Sequence, residues 1–121
     1  MRWTVACLVV LAACDLFGPE VLFVNRRPMV PVPNVYAEWY AATERCLVVS
    51  GDFGAVRWFL ADSVIMGSTA QAGVLRFPNE ITMFARVAQA EWAVRHEAAH
   101  HILQRGDDLH GEYGRVPCEH G

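Results

Sequence analysis

The sequence contains no lysine; all ten of its cationic side chains are arginine. We read this as a bias of genomic composition, not as a functional signal. Clustered positive charge is missing too. Thirteen acidic residues outweigh the arginines, and a net charge of −3 with a pI near 5.9 excludes the basic face that a nucleic-acid partner would require. No CxxC pair, internal repeat or low-complexity segment occurs, and no histidine precedes position 96. What is present is ordinary for one folded domain. The chain has 121 residues, 54% of them hydrophobic, which is enough for a modest core and too much for wholesale disorder. All five histidines (His96, His100, His101, His110 and His120) fall in the last 26 residues, and such a concentration of imidazoles points to a metal or proton-transfer site there.

The N-terminus carries targeting information. Arg2 precedes an apolar run from Trp3 that ends in Leu11-Ala12-Ala13-Cys14. The run is about eleven residues long, where a spanning helix needs roughly twenty. The segment resembles a bacterial lipoprotein signal. That resemblance implies cleavage after residue 13, lipidation of Cys14, and an exported protein anchored to a membrane on the extracytoplasmic or periplasmic face; a plain secretory signal is the alternative. Export also sets the cysteine arithmetic. Cys7 leaves with the signal and Cys14 takes lipid, so Cys46 and Cys118 are expected to pair in an oxidising compartment. Their bridge would close a loop of about 73 residues, worth about 4 kcal/mol in the chain-entropy model.

Residues 14–34 hold four prolines and read as an extended tether, with residues 35–121 as the folded domain. Asn34 offers an N-cap to a helix through Leu47, whose Tyr36, Trp39, Tyr40, Thr43 and Leu47 recur at helical spacing and should back a sheet. Ser50-Gly51-Asp52 breaks that helix. Strands are expected at Val56–Leu60, Gly73–Phe77 and Glu80–Phe84, separated by turns at Gly67-Ser68-Thr69 and Pro78-Asn79. From about Ala88, strong helix formers run without a breaker to Gly106, which is placed as a C-terminal stop. The expected plan is α+β: a backing helix, a small two- to three-stranded sheet, a long second helix and an irregular tail.

On that second helix His96 and His100 stand four residues apart, so their rings leave the same face one turn apart and can reach one ion. Glu97 lies beside them, where its carboxylate can meet a water on the ion without ligating it. His96-Glu97-Ala98-Ala99-His100 matches the HExxH signature and resembles the zincin metallopeptidases. The resemblance implies zinc, with Glu97 as general base, and hydrolysis of peptide or protein substrates. A non-catalytic, metal-binding or interaction lipoprotein that keeps the zincin-like fold is the alternative.

A catalytic zinc site needs a third protein ligand and an open position. The metzincin extension would put glycine and histidine where Leu103 and Gly106 stand, and too little chain remains for the glutamate-bearing helix of gluzincins. His110, ten residues after His100, is the favoured ligand, with Asp107, Asp108 and Glu112 as alternatives. Over roughly residues 36 to 118 the chain also resembles small metallopeptidase-like lipoproteins, in which HExxH is followed by a Gly-Asp-His-Pro-type segment, a third histidine and a late cysteine. Asp108-Leu109 occupy the His-Pro positions of that pattern. Tyr113 is a candidate oxyanion donor or a packing residue, and Asp107 or Asp108 could orient a ligand imidazole. His101, about 100° around the helix from His100, is expected at the surface or behind the ligands. Arg95 is expected to be solvated or ion-paired, and His120 disordered. Gly73–Phe77 could be an edge along which an extended peptide adds, or an ordinary core strand.

Overall fold

Burial of the aromatic stripe organises the first helix, α1 (Val35–Leu47). Tyr36, Tyr40 and Thr43 are fully buried, and Trp39 and Leu47 pack against the same core. The computed structural model that shows this describes residues 20–120, so the signal-like segment, Cys7 and the expected lipidation site at Cys14 lie outside the described residues. Asn34 does not act as a cap. Its own backbone is helical (φ −57°, ψ −32°) and its side chain bonds no helix N–H. A turn starts the helix instead, with the Tyr36 N–H donating to the Pro33 carbonyl at 3.0 Å.

The three expected strands are present within a four-stranded sheet, in the order β2 (Arg27–Pro28), β3 (Arg57–Ala61), β7 (Glu80–Phe84) and β6 (Gly73–Arg76). The central β3–β7 pair is parallel and the flanking pairs are antiparallel, which leaves β6 at an edge. A second sheet, of three strands, was not anticipated. It joins β1 (Val21–Val24) to β4 (Ser63–Met66) and β5 (Thr69–Ala70), with Gly67 at φ +63° in the β4–β5 turn.

The tether reading of residues 14–34 is therefore corrected from Glu20 onward. The Asp62 carboxylate, where the chain passes from β3 to β4, accepts hydrogen bonds from the Asn25 amide and the Arg27 guanidinium, both at 3.0 Å. Arg26 lies 3.7 Å over the Phe59 ring, donates to Thr82 and pairs with Glu80, while Met29 is buried. Val21–Val24 alternates in burial, but all four residues are apolar, so the sequence itself shows no strand period. The proline of β2 escapes the usual penalty because β2 is an edge strand, with no second ladder for it to interrupt.

Helix α2 (Glu91–Leu103) is shorter than the expected span at both ends. No Ser, Thr, Asp or Asn precedes it to mark a start. Residues 85–87 form a separate 3₁₀ turn, and the Tyr36 hydroxyl donates to the Ala88 carbonyl, so tertiary contact fixes the beginning. At the far end Gln104, not Gly106, takes the left-handed conformation (φ 50°). Its side-chain amide donates to the Pro78 and His101 carbonyls, which offsets the steric cost that glycine would have avoided. The two helices pack on each other, and the expected disulfide Cys46–Cys118 joins the end of α1 to the C-terminal tail. No helix among the described residues is long and apolar enough to cross a membrane.

Candidate metal centre

His96 and His100 project from α2 as their spacing requires, and His110 reaches them from the tail. A 3₁₀ turn at Asp107–Leu109 brings it there, anchored by Leu109, which is buried in a small cluster with Ala99 and Val116. The three Nε2 atoms form a triangle: His96 to His110 3.0 Å, His100 to His110 3.1 Å and His96 to His100 3.3 Å. The three histidines are close enough to bind one metal ion.

The opposite nitrogens explain why the lone pairs point inward. His100 Nδ1 lies 2.8 Å from the Arg105 carbonyl, which the left-handed turn at Gln104 folds back over the helix end. A nitrogen facing a carbonyl must carry the proton, so Nε2 is left as a bare acceptor. His96 Nδ1 lies 3.1 Å from a carboxylate oxygen of Glu119, with the same result. Burial first, and then the charges of its histidine neighbours, push His100 down to about 4, against the pull of the Arg105 carbonyl. Burial likewise holds His96 below the usual imidazole range, although Glu119 draws it upward. Both rings are therefore neutral near pH 7. Unprotonated acceptors held about 3 Å apart repel one another unless a cation lies between them.

Glu97 completes the arrangement. It is 3% exposed, one of its oxygens lies 3.9 Å from His96 Nε2, and it borders a cavity of about 780 Å³ shared with all three histidines. Burial, and secondarily the charge of Glu119, push its carboxyl up to about 8. Strand β6 holds it in place: a Cβ on Gly73 would lie 3.1 Å from Glu97 Cγ and 3.0 Å from the Thr82 carbonyl. The Gly73–Phe77 segment thus contributes an edge strand that lines the same cavity.

No family model, curated protein or solved structure matches the chain. The chemistry of the site must be read from its own residues.

Several of those residues are not where the sequence suggested. Tyr113 is 86% exposed at φ 60°, which removes the packing role. Asp108 is held by Arg105 Nε and Nη2 at 3.1 and 2.9 Å, and Asp107 approaches His110 Nδ1 at 3.8 Å on the side of the ring away from the triangle. Among the described residues neither acid belongs to the ligand group, and neither does Glu112. His101 is not at the surface. It is 4% exposed, with Nδ1 2.7 Å from the Tyr40 hydroxyl and Nε2 2.9 Å from Asn79 Oδ1. Arg95 is buried rather than solvated; it pairs with Glu91 and donates from Nε to the Cys118 carbonyl at 2.9 Å. His120 lies at the surface, 3.5 Å from Glu119. Glu119 was missed altogether, because a glutamate two residues from the end of the sequence carries no local signal except that it follows Cys118.

Proposed function

We propose that the chain is an exported zinc-dependent peptidase of zincin type, with His96, His100 and His110 as metal ligands and Glu97 as general base. The observation that carries this reading is the convergence of three imidazole nitrogens beside a buried carboxyl group that borders an open cavity. Zinc fits the donor set. Nitrogens about 2.0–2.1 Å from a tetrahedral ion stand about 3.3–3.4 Å apart, close to the separations of 3.0–3.3 Å in the triangle. Three protein ligands also leave a fourth position open, as catalytic sites require and closed structural sites do not.

Zinc held there supplies a Lewis acid that makes a water acidic near neutral pH. The protein's own contribution is placement and proton transfer. In its ionised form Glu97, made a stronger base by burial, would accept a proton from a water in the cavity as that water attacks a carbonyl carbon, and would then pass it to the departing amine. The edge of β6 offers unpaired main-chain groups along the same cavity, which suits an extended peptide adding as a further strand. The HExxH resemblance and the lipoprotein-like N-terminus support a membrane-tethered enzyme facing an extracytoplasmic space.

Zinc content and cleavage of an unfolded, dye-quenched protein test the reading together. Glu97→Gln should keep about one zinc per chain and lose activity by about 10²–10⁴-fold, the usual contribution of a general base. Cleavage at the wild-type rate by that variant would remove Glu97 from the chemistry. Stoichiometric zinc without any cleavage by the wild type would favour the non-catalytic metal-binding lipoprotein.

A further inference from the structure

Glu119 is 5% exposed, and a carboxylate buried that deeply needs partners. It has two besides the surface imidazole of His120: the backbone N–H of Val116 donates to Oε1, and the same oxygen lies 3.1 Å from His96 Nδ1. One carboxylate therefore closes the tail on itself and fixes the tautomer and ring direction of a metal ligand. Its reach depends on Cys118, the preceding residue, which sits at φ 69°. That is left-handed backbone, disfavoured for a residue with a side chain. Two restraints hold it there: the bridge to Cys46, with Cα atoms 5.9 Å apart, and the hydrogen bond from buried Arg95 to the Cys118 carbonyl. Without the bridge, only the Arg95 bond restrains the left-handed Cys118, and relaxation there would draw Glu119 away from His96.

We propose that Glu119 is a positioning residue for the metal centre and that the Cys46–Cys118 bridge sets metal affinity by holding Glu119 against His96. The proposal rests on the three-histidine reading of the preceding section. It goes further in making the tightness of the site depend on a covalent link outside the ligand set, acting through one hydrogen bond. Loss of an outer partner of this kind weakens metal binding by about 10–100-fold.

The test is competition for zinc against a chromophoric chelator at neutral pH, together with the visible d–d spectrum of the cobalt(II)-loaded protein. Wild type is measured first; if it binds neither ion, the metal-centre reading itself falls. If it binds, Glu119→Gln, which keeps an acceptor but loses the charge, should bind zinc about tenfold more weakly. Glu119→Ala should bind about 10–100-fold more weakly, with a shifted cobalt spectrum. The double variant Cys46→Ser/Cys118→Ser, free of thiols that could ligate, should match Glu119→Ala in affinity. Combining all three substitutions should add little, because they break the same contact. Wild-type affinity and spectrum in both Glu119 variants would overturn the positioning role. Full additivity, or unchanged affinity in a folded double-serine variant, would overturn the role of the bridge, and Glu119→Gln decides the first half even if that variant does not fold.

Discussion

Replacing His110 by alanine separates a three-histidine centre from a histidine pair completed by an acid. Apparent binding free energies of four-ligand zinc sites run to about 10–16 kcal/mol near pH 7, or about 2.5–4 kcal/mol per ligand. Removing one ligand should therefore raise the zinc Kd by about two to three orders of magnitude. No neighbour can substitute without rebuilding the tail. Asp107 lies beyond the His110 ring, 3.8 Å from Nδ1, and Asp108 is held by two nitrogens of Arg105. The His110 side chain is 28% exposed, so its truncation opens a gap that water can reach, and the metal-free fold should survive. Thermal shift reads the same quantity: zinc at about 100 times the wild-type Kd stabilises by about 2.7 kcal/mol, most of which His110→Ala should abolish. Asp107→Ala should cost no more than about tenfold in affinity, as an outer partner does, and Asp108→Asn nothing measurable. If Asp107→Ala weakens zinc as much as His110→Ala does, or if His110→Ala binds like wild type, the three-histidine centre is wrong.

The packing behind the centre makes two further predictions. In Gly51→Ala the new Cβ would stand 2.1 Å from the Tyr40 hydroxyl and 3.0 Å from Ile102 Cγ1, breaking the Tyr40–His101 bond. Overpacking and an unpaired buried imidazole nitrogen together cost about 2–6 kcal/mol, read as a lower denaturant midpoint; adding Tyr40→Phe should recover part of that loss, and simple additivity would refute the contact. Burial pushes the Tyr36 hydroxyl up to about 12 from 10.0, so above pH 10 the unfolded chain loses this proton while the folded chain keeps it. Tyr36 should contribute about 2–3 kcal/mol of the stability lost between pH 10 and 12, beside a share from Tyr40, which burial also raises, and Tyr36→Phe should remove the Tyr36 share in urea melts.

What could be read in advance was whatever chemistry is local. The His96–His100 pair follows from helical geometry, His110 from a ten-residue reach, and the bridge from the two cysteines left after the signal. Strands β3, β6 and β7 announce themselves by apolar runs between turn residues. The rest depends on partners distant in sequence. Val21–Val24 becomes a strand only because Ser63–Met66 pairs with it, and the start of α2 is set by a tyrosine 52 positions earlier. His101 adjoins His100 yet faces inward, because α1 covers that side of the helix with Tyr40. No spacing rule could have pointed to Glu119.

The three ligands lie within residues 96–110, on one helix and the turn that follows it. Closing a loop of ten residues takes about 10–100 ns and little entropy, whereas the bridge must bring together residues 72 apart. Ion capture can therefore run ahead of the rest of the fold. The helix and the turn that follows it hold all three histidines between them. Gly73, Asn79 and Cys46, which shape the surroundings, lie earlier in the chain and need not be docked for the three histidines to meet. On the proposed metal-binding reading, an ion held by these three side chains would order the helix and its turn without waiting for the long-range contacts.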